Sequence, residues 1–153
     1  MTKERRRRVL TVGERQYFWT TYHRHADGCE EVLRVRARGT ATGLTLAFRP
    51  EGQRRVPDGW GSGAGEIRDG DRWLNLNMPG VVRAFVDAAV DAGWMDQTRT
   101  AGRRDGWELF DDAWARRKRQ RDGDPDAGGV PDAGVADRVF GSPGHGPAQH
   151  DPA

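Results

Sequence analysis

The chain has 153 residues, 31% of them charged and 35% hydrophobic, with a formal net charge of +2. So small an imbalance singles out no class of partner, and the lone Cys29 excludes an internal disulfide and a multi-cysteine zinc site. No apolar run approaches the roughly 20 residues that a membrane-spanning helix needs.

The basic stretch Met1–Arg8 is followed only by Val9–Val12 before Gly13, too short an apolar core for a signal peptide. A cytoplasmic protein without a membrane span is therefore expected. Five of the eight prolines fall after Arg116, where Phe140 is the only aromatic residue and leucine, isoleucine and methionine are absent. Such a segment cannot bury enough apolar surface to offset about 1–2 kcal/mol of ordering entropy per residue. The expected organisation is a disordered basic lead-in over 1–7, a single domain over 8–120, and a disordered Gly/Pro/Asp-rich tail over 121–153. Arginine carries nearly all the positive charge, Lys3 and Lys118 being the only lysines. A GC-rich genome accounts for that bias, and bidentate recognition of phosphate or carboxylate is the alternative.

In chain order, Val9–Val12 reads as a short strand ending at the turn signal Gly13-Glu14. Gln16–His25 (QYFWTTYHRH) is aromatic and β-branched, which favours a strand, and Ala26-Asp27-Gly28 breaks it. From Glu31 to Arg38 the side chains alternate: Leu33, Val35 and Ala37 point one way, and Val32, Arg34, Arg36 and Arg38 the other. Leu44–Arg49 repeats that period of two with Leu44, Leu46 and Phe48 inward. Short connections between such runs predict an antiparallel meander.

Trp73–Leu76 gives one more short strand, with Trp73 or Leu74 inward. Asn77-Met78-Pro79 predicts a helix start capped by Asn77. Along Gly80–Ala92, Val82, Phe85, Val86, Ala89 and Val90 form an apolar stripe, with Arg83 and Asp87 able to pair opposite it. Gly93 is the expected stop, with Trp94 folding back over the last turn. Trp107–Phe110 is either a closing strand or a helical start capped by Asp105, and a short strand running into a helix through Gln120 is the preferred reading. The fold class that follows is α+β: a curved antiparallel sheet of about five strands with one main helix packed on one face.

Three clusters are candidate sites. His23 and His25 share a strand face, so both imidazoles can reach one metal, with Cys29 beyond the Gly28 turn as a third ligand. The simpler reading is a polar strand end, because metal sites normally show three or four ligands and no further pair completes this one. Arg34, Arg36 and Arg38 line one strand face, and Arg24 and Arg49 can flank them. A basic face of this kind suits an acidic partner or phosphate. Tyr22 and Phe18 in phase with it would direct it to single-stranded nucleic acid. The simpler reading is a solvated outer face, since Glu30 and Glu31 weaken the field. The glycine-rich stretch Asp58–Gly65 matches neither GxGxxG nor a P-loop, and is expected to be a loop rather than a phosphate cradle.

The pieces YFWTTYHRH, EEVLRVRARG, GLTLAFRP, WLNLNMPGVVRAFVDAAVDAGW and DGWELFD span Tyr17 to Phe110. This pattern resembles a group of small actinobacterial proteins. The resemblance implies a compact stand-alone bacterial domain and supplies no activity, cofactor or catalytic residue. No Gly-x-Ser-x-Gly elbow, His-Glu-x-x-His or other catalytic motif occurs.

The function expected is therefore a non-enzymatic interaction module. It would contact a protein or nucleic acid through Arg24, Arg34, Arg36, Arg38 and Arg49, with no cofactor. The alternative is a metal-binding protein or enzyme using His23, His25 and Cys29.

Overall fold

The computed structural model describes residues 7–25, 27–57, 65–95 and 102–123. The ends expected to be disordered fall largely outside these residues, as does the glycine-rich stretch apart from Gly65. The fold is α+β. Strands β1 (Arg8–Val12), β2 (Arg15–Arg24), β3 (Glu30–Ala37) and β4 (Gly43–Phe48) form the antiparallel meander that the alternation predicts. A second, three-stranded sheet holds β5 (Arg54–Arg55), β6 (Glu66–Asp69) and β7 (Arg72–Asn75). Next come α1 (Pro79–Asp91), β8 (Arg103–Asp105), a single 3-10 turn (Gly106–Leu109) and α2 (Phe110–Arg121).

Three features depart from the expected layout. The fifth strand of the main sheet is β8, and it pairs parallel to β4, so the sheet is mixed rather than antiparallel throughout. Of Trp73–Leu76, the first three residues belong to the small sheet, with Leu74 buried and Trp73 exposed. Trp107–Phe110 is helical, against the preferred strand reading; the short strand β8 lies just before it at Arg103–Asp105, and α2 joins α1 in the helical layer.

The reason for the helical start is local. The Asp105 side chain accepts a hydrogen bond from the Trp107 backbone N–H at 3.0 Å, satisfying one of the otherwise orphaned donors of the first turn. At α1 the capping residue is Met78, without a side-chain cap, and Pro79 supplies the preset first turn. Asn77 is occupied elsewhere, as described below. The other end of α1 closes as expected. Gly93 takes φ +75°, its N–H donates to the Val90 carbonyl at 3.0 Å, and that of Trp94 donates to Ala89 at 2.8 Å.

One hydrophobic core unites the layers. Leu10, Trp19, Leu33, Val35, Leu46 and Phe48 of the main sheet meet Val82, Phe85 and Ala89 of α1 and Phe110 and Ala113 of α2, with Ile67 and Leu74 of the small sheet. Each fully buried large side chain of this kind stabilises the fold by about 1.5–3 kcal/mol. Phe48 sits at the centre, edge-on to Phe85 at 5.4 Å and to Trp107 at 5.3 Å between ring centroids. Gly106 lies hard against it: a Cβ there would fall 2.3 Å from Phe48 Cζ. Only glycine lets the chain turn so close to the ring. The Trp107 indole N–H donates to the Arg49 carbonyl at 2.8 Å. These contacts seat β8 beside β4, with Arg104 over the Trp94 ring at 4.4 Å.

Both helices lie on the core side of the main sheet. The opposite face, carried by Phe18, Thr20 and Tyr22 of β2 and by Arg34 and Arg36 of β3, has no described helix packed against it.

Candidate functional site

Strand register decides what shares a face. Phe18 lies opposite Arg36, Thr20 opposite Arg34, Tyr22 opposite Val32 and Arg24 opposite Glu30. Arg34 in turn lies opposite Thr45, which neighbours Arg103 on β8. Since side chains alternate along a strand, these residues form one continuous outer face. Arg34 and Arg36 are exposed on it, Phe18, Thr20, Tyr22 and Thr45 are half-buried, and Val32 is buried. Arg36 Nε donates to the Thr40 carbonyl at 3.3 Å, which anchors its stem along the β3–β4 turn.

The five arginines named from the sequence divide. Arg34 and Arg36 present their charge to solvent. Arg24 and Arg49 turn to Glu30, at 3.6 and 3.1 Å. Arg38 lies just past the end of β3 and donates to the Gln16 side chain.

Glu30 is 2% exposed and is the hub of this end of the face. Arg103, absent from the residues singled out in the sequence, is its third partner. Burial pushes the Glu30 carboxyl up, but the hydrogen bonds and charges of Arg103 and Arg49 outweigh it, so its pKa falls below the ordinary value. Three guanidinium groups around one carboxylate leave the cluster with excess positive charge. Asp105 follows on the same edge strand, engaged with Trp107. The reading of Glu30 as a surface charge that dilutes the field is therefore incomplete. It is a buried anchor that holds three arginines at the margin of Arg34 and Arg36.

The core-side face of the β2–β3 hairpin end carries a second arrangement. His23 lies opposite Glu31, and its Nδ1 is 2.6 Å from Glu31 Oε1. Glu31 is 1% exposed. Its burial raises its pKa, and the hydrogen bond and charge of His23, with a backbone hydrogen bond from Gly65, pull it only part of the way back. Thr21, two residues from His23 on the same face, donates to Asn77 Oδ1 at 2.8 Å. Asn77 thus ties the main sheet to the entrance of α1 instead of capping it. The loop end is held there too, since a Cβ on Gly65 would fall 2.4 Å from Asn77 Nδ2.

Beyond β2, Asp27 (φ 55°) and Gly28 (φ 109°) reverse the chain and bring Cys29 back over the strand end. Cys29 Sγ lies 3.5 Å from His25 Nδ1. The rings of His23 and His25 meet edge to face at 4.5 Å. One ligand atom from each of His23, His25 and Cys29 falls within 4.8 Å of the others. The three residues picked out by their spacing are thus brought together.

Elsewhere arginine acts as a flat lid. Arg8 covers Trp19, Arg54 covers Trp107, Arg72 covers Phe110 and Arg121 covers Trp114, with guanidinium carbons 4.9–5.6 Å from the ring centroids. A planar, weakly hydrated cation suits such stacking better than an ammonium group does.

No protein-family model, curated protein or solved structure matches the chain. No helix among the described residues is long and apolar enough to cross a membrane.

Proposed function

We propose that this chain is a non-enzymatic interaction module that binds single-stranded nucleic acid on the outer face of its main sheet. The observation that carries the reading is the pairing of Phe18 with Arg36 across β2 and β3 on a face that no described helix covers. Single strands need two things from a protein surface: rings on which unpaired bases stack, and cations spaced along the backbone. Phe18 and Tyr22 supply rings two strand steps apart. Arg34 and Arg36 supply exposed cations one step apart on the neighbouring strand, and the arginines around Glu30 extend the positive rim. An open sheet face carries rings and cations side by side, the arrangement on which successive unpaired bases stack.

Anisotropy titration of the full chain with a labelled mixed-sequence oligonucleotide, single-stranded and then annealed, tests the proposal. The expected outcome is tighter binding of the single strand and a loss of about 1–3 kcal/mol in Phe18→Ala from one lost stacking contact. Equal affinity for duplex and single strand, or a Phe18→Ala variant that binds as wild type, would exclude a stacking platform. Binding of an acidic protein with no oligonucleotide affinity would reassign the face to a protein partner.

A further inference from the structure

We propose that His23, His25 and Cys29 form a binding site for a zinc-class divalent ion at the end of the β2–β3 hairpin. This site lies on the core-side face, away from the nucleic-acid surface, and does not depend on that reading. Its ligand set combines two imidazole nitrogens and one thiolate, the mixture that a borderline-soft ion such as Zn²⁺ accepts. Bonds of about 2.0–2.3 Å in a tetrahedral site put ligand atoms roughly 3.5 Å apart. The Cys29 Sγ to His25 Nδ1 distance is already 3.5 Å. All three ligand atoms lie within 4.8 Å of one another, so closing the widest separation by about 1.3 Å completes the set.

The surroundings of His23 are the second observation. Its Nδ1 faces Glu31 Oε1 at 2.6 Å, and its Nε2 is buried and has no hydrogen-bond partner among the described residues. A buried polar atom without a partner is costly, and a metal ion is one group that satisfies it. A carboxylate on the far nitrogen of a ligating histidine is also the usual device for fixing tautomer and ring orientation. Glu31 is so placed, and its own position is set by strand register rather than by a flexible loop. The hairpin reversal at Asp27 and Gly28 then delivers Cys29 to the side that His25 occupies. His25 is exposed and Cys29 half-buried, so an ion can enter from solvent, and a fourth position is left for water or an external ligand. Binding forms the metal–sulfur bond as the thiol proton leaves to solvent.

The test uses the full chain, stripped with chelator and titrated with Co²⁺ and then Zn²⁺. The expected results are one ion per chain, a thiolate-to-cobalt charge-transfer band that Zn²⁺ abolishes, and loss of that band in Cys29→Ser. His25→Ala should weaken binding at least tenfold. Protection of Cys29 from alkylation by Zn²⁺ in the unmutated chain gives a readout that needs no variant. A cobalt spectrum without the thiolate band, alkylation unaffected by Zn²⁺, or binding unchanged in Cys29→Ser would overturn the proposal.

Discussion

The carboxylate of Glu30 and the guanidinium of Arg103 stand 73 positions apart in the chain and form an ion pair on the outer face of the sheet. The pair closes β8 against β4 and holds the cluster that borders Arg34 and Arg36. Glu30→Gln keeps the shape and removes the charge, leaving Arg24, Arg49 and Arg103 around a neutral amide. Its arginine partners are 39–61% exposed, so solvent screens much of the attraction, and the expected loss is about 1–2 kcal/mol. Urea denaturation at neutral pH measures it.

The same pair predicts a pH dependence. Glu30 has a folded pKa below its ordinary value of 4.5, so the unfolded chain takes up the proton more readily. The stability it contributes is complete above that ordinary value and is lost as pH falls through the lowered one. Protonated Glu30 resembles glutamine. The stability difference between wild type and Glu30→Gln should therefore shrink towards zero in acid, and a constant difference from neutral pH to acid would contradict the ion-pair account.

Two glycines separate space from backbone conformation. Gly106→Ala drives a methyl group into the Phe48 ring, and overpacking of this kind costs about 1–3 kcal/mol. Gly93→Ala meets nothing within 4 Å but must hold φ near +75°, a left-handed strain of about 1–2 kcal/mol. Thermal unfolding of both variants checks the sizes. Near-ultraviolet circular dichroism distinguishes the causes, because only Gly106→Ala should disturb the packed aromatic rings.

Trp107→Phe tests how firmly the strand is seated. It deletes the donor to the Arg49 carbonyl and part of a buried ring. The expected loss is about 1–3 kcal/mol, combining an unmade hydrogen bond with lost packing. Hydrogen exchange should report faster opening at Arg103–Asp105 than in the meander β1–β4.

Much of this architecture is legible in the sequence where one face is apolar. Leu33, Val35, Leu44, Leu46 and Phe48 alternate cleanly, and a half-buried strand has no other way to place them. The stripe of α1 and its Gly93 stop are local for the same reason. Strand β8 is different. Its residues Arg103, Arg104 and Asp105 are all exposed, and no periodicity marks three charged residues as a strand. What fixes it is tertiary: Glu30 on one side, Trp94 under Arg104, and Phe48 against Gly106. Burial of Glu30 is hidden likewise, because a carboxylate is buried only when partners arrive from elsewhere. The pairing of His23 with Glu31 had a signal, since a reversal at Asp27 and Gly28 sets them opposite each other. A histidine facing a carboxylate across a hairpin is the pattern to look for.

The central claim concerns the outer face, and it is tested most directly by the salt dependence of single-strand binding. Affinity of the full chain for a labelled single-stranded oligonucleotide is measured against salt concentration, for wild type and for Arg34→Ala/Arg36→Ala. Each phosphate contact adds about 0.7 to the slope of log affinity against log salt. The account predicts weaker binding by the double variant and a slope shallower by about 1.4, with stability unchanged within about 0.5 kcal/mol at such exposed positions. Identical affinities and slopes for the two proteins would contradict it.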